Sequence, residues 1–421
     1  MQDNRDSIGI EAAEELLASR RRILEGDRTL WIIYAVLIVV SILVVYSSTA
    51  KMVFDITSDM STTGSLRQQL MLVTALSMPV IYIAHKINYT FYRRWTPIGY
   101  YLFVILTLAT YFVGSTTNGA ARWLPIGPFQ FQPSEGLKIF TILMLARRME
   151  SRQETINKIK LLPTSFRLKD EKQRQILREN TWPILGPVIV SCVVILPAHT
   201  SSAVLIFLAS VIMLYIGRVA KGEIIKFTLL VITAGTLALS LLSLVGVGRG
   251  DTASGRLSTW VKEWVTDGKK EYFYELSDTE CAMIAIRNGG IAGEGAGHSS
   301  SRAIVIHPES DYAYAFFTSE YGFIAAVVLM LLYLWITFRS IEICRRCTTA
   351  FPTLMTAGLG LLITCQALRH ILVQVNLIPE TGQTLPLISR GGSSLLFTSI
   401  GLGMILSVSR QNLEGSYTKE E

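Results

Sequence analysis

Ten apolar segments punctuate this 421-residue chain, at about 29–48, 69–87, 98–115, 133–148, 182–197, 200–219, 224–246, 312–338, 352–376 and 391–409. Each is long enough to cross or nearly cross a bilayer, the fourth and fifth being short and their ends the least fixed. Backbone in lipid must satisfy its own hydrogen bonds, so stretches of this length are expected as helices. The predicted fold class is an all-α polytopic membrane protein with ten transmembrane helices. A chain that is 50% hydrophobic and only 17% charged excludes a soluble globule of ordinary surface.

Lys and Arg accumulate on the cytoplasmic side of membrane proteins. With both termini inside, the inner segments hold 26 of the 39 basic residues, the outer ones 11, and Lys138 and Arg369 fall within spans. Ten of the inner cations, Arg147 to Arg178, crowd the 149–181 loop, a pattern that fits an anionic leaflet better than nucleic acid. The expected organisation is a cytoplasmic tail at 1–28, a membrane domain at 29–410 and a short cytoplasmic tail at 411–421. The first 28 residues are polar and the first apolar run is of full span length, so that run is expected to remain as an anchor. Within the tail, Ile10, Ala13, Leu16, Leu17 and Leu24 with Arg20, Arg21 and Arg22 form a weakly amphipathic pattern. No internal repeat at a fixed period marks the chain as a transporter with inverted halves. The five cysteines give no disulfide framework, and the Cys344/Cys347 pair has no second pair to complete a metal site.

Residues 247–312 are a mostly polar stretch between two apolar runs and are predicted to be a large extracytoplasmic loop. Leu257, Trp260, Val261 and Trp264 at i, i+3, i+4 and i+7 predict an interfacial helix with two tryptophans on one face. At the loop's end, Asp311 precedes the apolar run from Tyr312 to Phe317. A carboxylate beside apolar surface is poorly solvated when ionised, which raises its pKa and suits it to general-base work; the other reading is an N-cap carboxylate.

Four further groups carry possible chemistry. Asn118–Trp123 contains Arg122, and Gln132–Lys138 places Glu135 and Lys138 at i, i+3 on one face inside the fourth span, as a site or as a pair holding helices. The glycine run from Gly289 to Gly297 ends near Arg302, and its amides either cradle a pyrophosphate or form a tight packing turn. Pro379–Ser394 has two prolines and three glycines, predicting irregular backbone that re-enters the bilayer, with Ser389 and Arg390 at its tip. Glu320 lies nine residues after Asp311, where Lys138 or Arg369 is its expected partner. The histidines form no metal cluster, although His307, Glu309 and Asp311 alternate.

Four ordered blocks, N-G-A-A-R-W with Q-P-S-E-G-L-K at 118–138, G-G-I-A-G-E-G-A-G-H-S at 289–299, E-S-D-Y-A-Y-A-F-F-T-S-E-Y-G-F at 309–323 and P-E-T-G-Q-T-L-P-L-I-S-R-G-G-S-S at 379–394, resemble the SEDS family (shape, elongation, division and sporulation). The likeness runs from the first span to Arg410 and is closer to the cell-division branch, FtsW, than to the elongation branch, RodA. It implies a peptidoglycan glycosyltransferase of the bacterial cytoplasmic (inner) membrane that polymerises lipid II on the outer face, during septal wall synthesis, beside a class B penicillin-binding protein and other division proteins. Carried over by position, it makes Asp311 the catalytic residue, Glu135 and Lys138 the fourth-span acid and base, and Arg122 the loop arginine, the last three all substrate-binding; Arg302, Glu320, Ser389 and Arg390 are this chain's own further candidates for substrate binding. Where the family usually reads Gln-Pro-Asp before the sixth span, this chain has Leu196, Pro197, Ala198 and His199, so a role for that carboxylate does not transfer. No cofactor is required by the sequence; a divalent cation such as Mg²⁺ or Mn²⁺ would suit the pyrophosphate chemistry, though no dedicated cage is visible. Two other readings stand beside the enzyme: a lipid II flippase or transporter, and a non-catalytic division scaffold.

Overall fold

A computed structural model describes residues 24–48, 62–117, 120–126, 129–158, 160–162, 171–245, 255–256, 258, 260–261 and 276–417. The fold is mostly helical, and all ten apolar segments fall largely on helix. In chain order the main helices are α1 (Arg28–Ser48), α2 (Thr62–Met71), α3 (Met78–Lys86), α4 (Tyr89–Val113) and α5 (Pro133–Glu150). There follow α6 (Glu171–Ile176), α7 (Trp182–Ile195), α8 (Thr200–Ile216), α9 (Lys221–Val245), α10 (Asp278–Gly289), α11 (Ala313–Arg345), α12 (Ala350–Gln374) and α13 (Gly392–Tyr417). Wider π turns at Leu72–Ser77 and Leu177–Thr181 join α2 to α3 and α6 to α7.

Local signals fix several ends. Asp27 Oδ1 accepts from the Leu30 amide at 2.9 Å ahead of α1, Asn88 Oδ1 accepts from Thr90 N at 2.9 Å ahead of α4, and Pro133 occupies the first turn of α5. Ser277 and Glu280 form a reciprocal capping box at the start of α10.

Six helices among the described residues are long and apolar enough to cross a membrane: Arg28–Ser48, Leu66–Lys86, Tyr89–Val113, Ala313–Arg345, Ala350–Gln374 and Gly392–Leu413. This is a multi-pass membrane protein, with fewer helices meeting that standard than the ten expected. Charges cost α5 its apolarity, since it carries Glu135, Lys138, Arg147 and Arg148, while α7 and α8 are short.

Burial separates centre from periphery. The apolar windows of α12 and α13 are 78% and 83% buried, against 22% for α4, and α5 is buried along nearly its whole length. Glycines let the central helices close on one another: a Cβ on Gly403 would meet the Ala84 side chain at 2.5 Å, and one on Gly358 would meet Ile142 at 2.5 Å. The α5–α12–α13 core therefore holds whatever chemistry lies at membrane depth.

One element departs from the all-α expectation. Residues Ser115–Thr117, Ala120–Ile126 and Phe129–Phe131 form a three-stranded antiparallel sheet, β1-β2-β3. Arg122, Trp123, Leu124, Pro125 and Ile126 show no polar–apolar alternation, so this short strand carries no period that would stand out among apolar helices.

Candidate active site at the outer charge cluster

Asp311 lies just before α11, whose N-cap is Tyr312 and carries no side-chain cap. Its carboxylate therefore does not cap the helix. The preceding turn is set by His307, whose φ of +51° is unusual for a residue with a side chain, and whose carbonyl accepts from Ser310 N at 3.1 Å and Tyr312 N at 3.4 Å. The 379–391 turn is stitched to this segment. Ser389 Oγ donates to the Ser310 carbonyl at 2.6 Å and accepts from Leu385 N at 2.8 Å, while Arg390 N donates to the Glu309 carbonyl at 2.7 Å. Gly382 faces the acid directly, since a Cβ there would stand 3.0 Å from Asp311 Oδ2.

Arg122 approaches from the sheet. Ser115 pairs with Trp123 and Thr116 with Ala121, leaving Arg122 as the extra residue of a bulge. Bulges re-aim side chains, and this one brings a half-buried guanidinium into the field of Asp311. Burial pushes the Asp311 carboxyl above the ordinary range, opposed first by Arg122 and then by His307 and Arg256, with Glu309 adding to the rise. Burial lowers Arg122 and Asp311 opposes it, as expected of two desolvated groups that favour each other's charge. Glu380 is likewise raised by burial, with Arg256 opposing; Arg256 Nη1 donates to the Glu380 carbonyl at 3.3 Å. The arrangement holds a carboxylate of raised basicity beside fixed cations, which is what proton abstraction next to a developing anion requires.

A second group lies in the core. Lys138 Nζ is 2.8 Å from Glu135 Oε2 and 3.0 Å from Gln366 Oε1, with the Lys138 side chain 2% exposed. Arg369 Nη1 donates to the Ser201 carbonyl at 2.9 Å, leaving its Nε and Nη2 without a hydrogen-bond partner. A cavity of about 20 Å³ between Glu135, Lys138, Gln366 and Thr398 has room for one water.

The third group corrects one expectation and decides between the two readings of the glycine run. Glu320 pairs with Arg302, at 3.3 Å, and accepts from Ser47 and from Gly297 N at 3.0 Å; Lys138 and Arg369 are not its partners. The helix carries Glu320 roughly 13 Å past Asp311 at 1.5 Å per residue, so Arg302 points at a different carboxylate. The glycine run is the packing turn and not an open amide cradle. Glu294 N and Gly295 N donate to the Ser319 and Glu320 carbonyls, each at 3.0 Å, and Phe323 N donates to the Gly290 carbonyl at 2.9 Å. The Arg390 guanidinium donates to Gln68.

Of the interfacial tryptophan helix, Leu257 and Trp264 lie outside the described residues, as does the amphipathic tail before Leu24; Trp260 Nε1 donates to the Asn376 carbonyl at 3.1 Å. Asn118 and Gly119 are also outside them. Arg256, Glu380, Gly382, His370 and Gln374 escaped the sequence reading. Only Glu380 and Gly382, inside a quoted block rich in Pro and Gly, carried any signal.

The fold and this site define a class: a multi-pass helical membrane protein with a half-buried acid just before one of its long helices. A profile of the cell cycle protein family that takes in FtsW, RodA and SpoVE matches residues 27–414, and the chain belongs to that family. It is 28% identical to stage V sporulation protein E of Bacillus subtilis (strain 168), over 91% of this chain and 97% of that one. It is 27% identical to a probable peptidoglycan glycosyltransferase FtsW of Haemophilus influenzae, over 80% and 79%. Among solved structures it shares its fold with a chain from a study of polymerization and crosslinking by a peptidoglycan synthase complex, at TM-score 0.63 and 21% identity, covering 92% and 98%. RodA of Thermus thermophilus matches at TM-score 0.57 and 19% identity, covering 92% and 97%.

Proposed function

We propose that the protein is a peptidoglycan glycosyltransferase that polymerises lipid II by an inverting transfer. Relatives named as peptidoglycan glycosyltransferases support the activity. The observation that carries the mechanism is the half-buried Asp311 carboxyl, which faces Gly382 and is raised in pKa within the field of Arg122. Asp311 takes the proton of the acceptor sugar hydroxyl, the oxygen attacks the anomeric carbon of the donor, and the bond to undecaprenyl pyrophosphate breaks. Arg122 and Arg256 meet the charge developing on that leaving group. Among the described residues no three His, Cys, Asp or Glu side chains are grouped to hold a metal ion.

Ten spans with both termini inside, a cytoplasmic-membrane location, action at the septum and a class B penicillin-binding protein partner complete the reading. The basic-residue asymmetry and the fold shared with a peptidoglycan synthase complex support them. Purified protein in detergent or liposomes, given labelled lipid II, tests it. Glycan chains from the wild type and none from Asp311→Asn are expected; translocation of lipid II without polymer favours the flippase, and full complementation of a depletion strain by Asp311→Asn favours the scaffold.

A further inference from the structure

Asp311 is held from behind by two buried residues of α12 that share one helical face. Gln374, fully buried at the end of α12, donates from Nε2 to the main-chain carbonyl of Asp311 at 3.2 Å, and its Oε1 accepts from the Ala315 amide. That amide is one of the first four of α11, which have no partner within the helix. Tyr312 supplies no side-chain cap, so the cap comes from a different helix.

His370, one turn earlier and 3% exposed, lies against Gln374 through Nε2 and against the Gln383 carbonyl through Nδ1 at 2.7 Å. The Gln374 nitrogen carries only donors, so His370 Nε2 must accept and the ring proton sits on Nδ1, donating to Gln383. The Gln383 side chain donates onward to Ser202 of α8. Its neighbour Gly382 is the residue pressed against the Asp311 carboxylate. One end of this relay thus fixes the backbone that carries the acid, and the other fixes the turn that faces it.

We propose that His370 and Gln374 form a positioning relay that sets the Asp311 carboxylate between Gly382 and Arg122, with neutral, Nδ1-protonated His370 as its hinge. The relay touches no reacting atom and acts through the placement of Asp311. It rests on the reading of Asp311 as the base. His370→Phe removes both imidazole bonds at similar volume. His370→Gln keeps an acceptor toward Gln374, and the near-isosteric Gln374→Glu replaces the donor by a carboxylate that offers none when ionised.

The test compares these full-length variants with wild type in detergent, measuring kcat and KM for lipid II polymerisation, the pH profile of kcat/KM, and thermal unfolding. His370→Phe and Gln374→Glu are expected to lower kcat about tenfold or more, with KM within about threefold, and to move the acid limb of the profile. His370→Gln is expected to recover part of the loss. The relay is overturned if either variant, melting near the wild-type temperature, keeps kcat within about threefold and leaves the limb in place. It is overturned equally if the loss tracks only the folded fraction with an unmoved limb. Wild-type polymerisation by Asp311→Asn would instead remove the reading beneath it.

Discussion

Gly382 stands against the carboxylate of Asp311, and a methyl group there would crowd it: a Cβ would lie 3.0 Å from Oδ2. The contact joins the Pro379–Ser394 turn to the segment before α11, at the point where the side chain would do its work. Gly382→Ala forces the carboxylate to give by a few tenths of an ångström or to change rotamer. Since a misplacement of about 1 Å can cost about a hundredfold in rate, kcat is expected to fall roughly tenfold to a hundredfold with the protein still folded. Polymerisation kinetics beside a thermal unfolding curve will separate the two effects.

The pH dependence follows from the environment of Asp311. A general base works only when ionised, and burial raises this carboxyl above its ordinary range. The acid limb of kcat/KM should therefore fall through a midpoint higher than that of a solvated aspartate. Arg122 is the largest influence opposing the rise, so Arg122→Gln should push the limb to still higher pH. A limb that stays in place would mean that Arg122 does not act on Asp311.

The helical architecture was legible because apolar length is a strong signal, and Asp311, Arg122, Glu135 and Lys138 stood out because charge next to apolar sequence is costly. Partner choice was not legible. Glu135 and Lys138 pair at i, i+3 as helix geometry dictates, but Glu320 finds Arg302 through a loop fold that no local period encodes. The glycine run illustrates the same limit. Its composition fits either an anion cradle or a close packing turn, and only the kink it meets at Gly322 decides between them. His370 and Gln374 were invisible for a further reason, since one polar residue per turn on a buried helix looks like any satisfied core group.

The Glu135–Lys138 pair should behave as a matched set. Its distance of 2.8 Å and near-complete burial mean that removing one partner leaves a buried charge without its nearest counter-ion. Lys138→Met is expected to destabilise by about 3–5 kcal/mol, while Glu135→Gln with Lys138→Met should cost much less, because the pair leaves together. Denaturant or thermal unfolding of the purified single and double variants, analysed as a double-mutant cycle, checks this. Equal destabilisation by the single and the double change would show that Glu135 does not depend on Lys138 for its compensation.

The kink in α11 supplies the last prediction. Gly322, at φ +80° and ψ 174°, breaks the helix so that its backbone can lie against the glycine run: a Cβ on Gly322 would sit 2.4 Å from the Ile291 carbonyl oxygen. Gly293, at φ +85°, answers from the other side, its Cβ position lying 2.2 Å from the Glu320 carbonyl oxygen. Both neighbours are backbone, so neither clash can be relieved by a rotamer change, and each alanine also adds left-handed strain of about 1–3 kcal/mol. Gly235 in α9 is the control, with nothing within 4 Å of its Cβ position. Gly235→Ala should leave the unfolding temperature unchanged or slightly higher, through a stiffer unfolded chain and better helix propensity. Gly322→Ala and Gly293→Ala should lower it, and because the shifted backbone carries Glu320, they should also loosen its 3.3 Å contact with Arg302. Charge reversal by Glu320→Arg with Arg302→Glu, compared in wild-type and Gly322→Ala backgrounds, reads that coupling. Equal rescue in both backgrounds would mean that the kink does not position the pair.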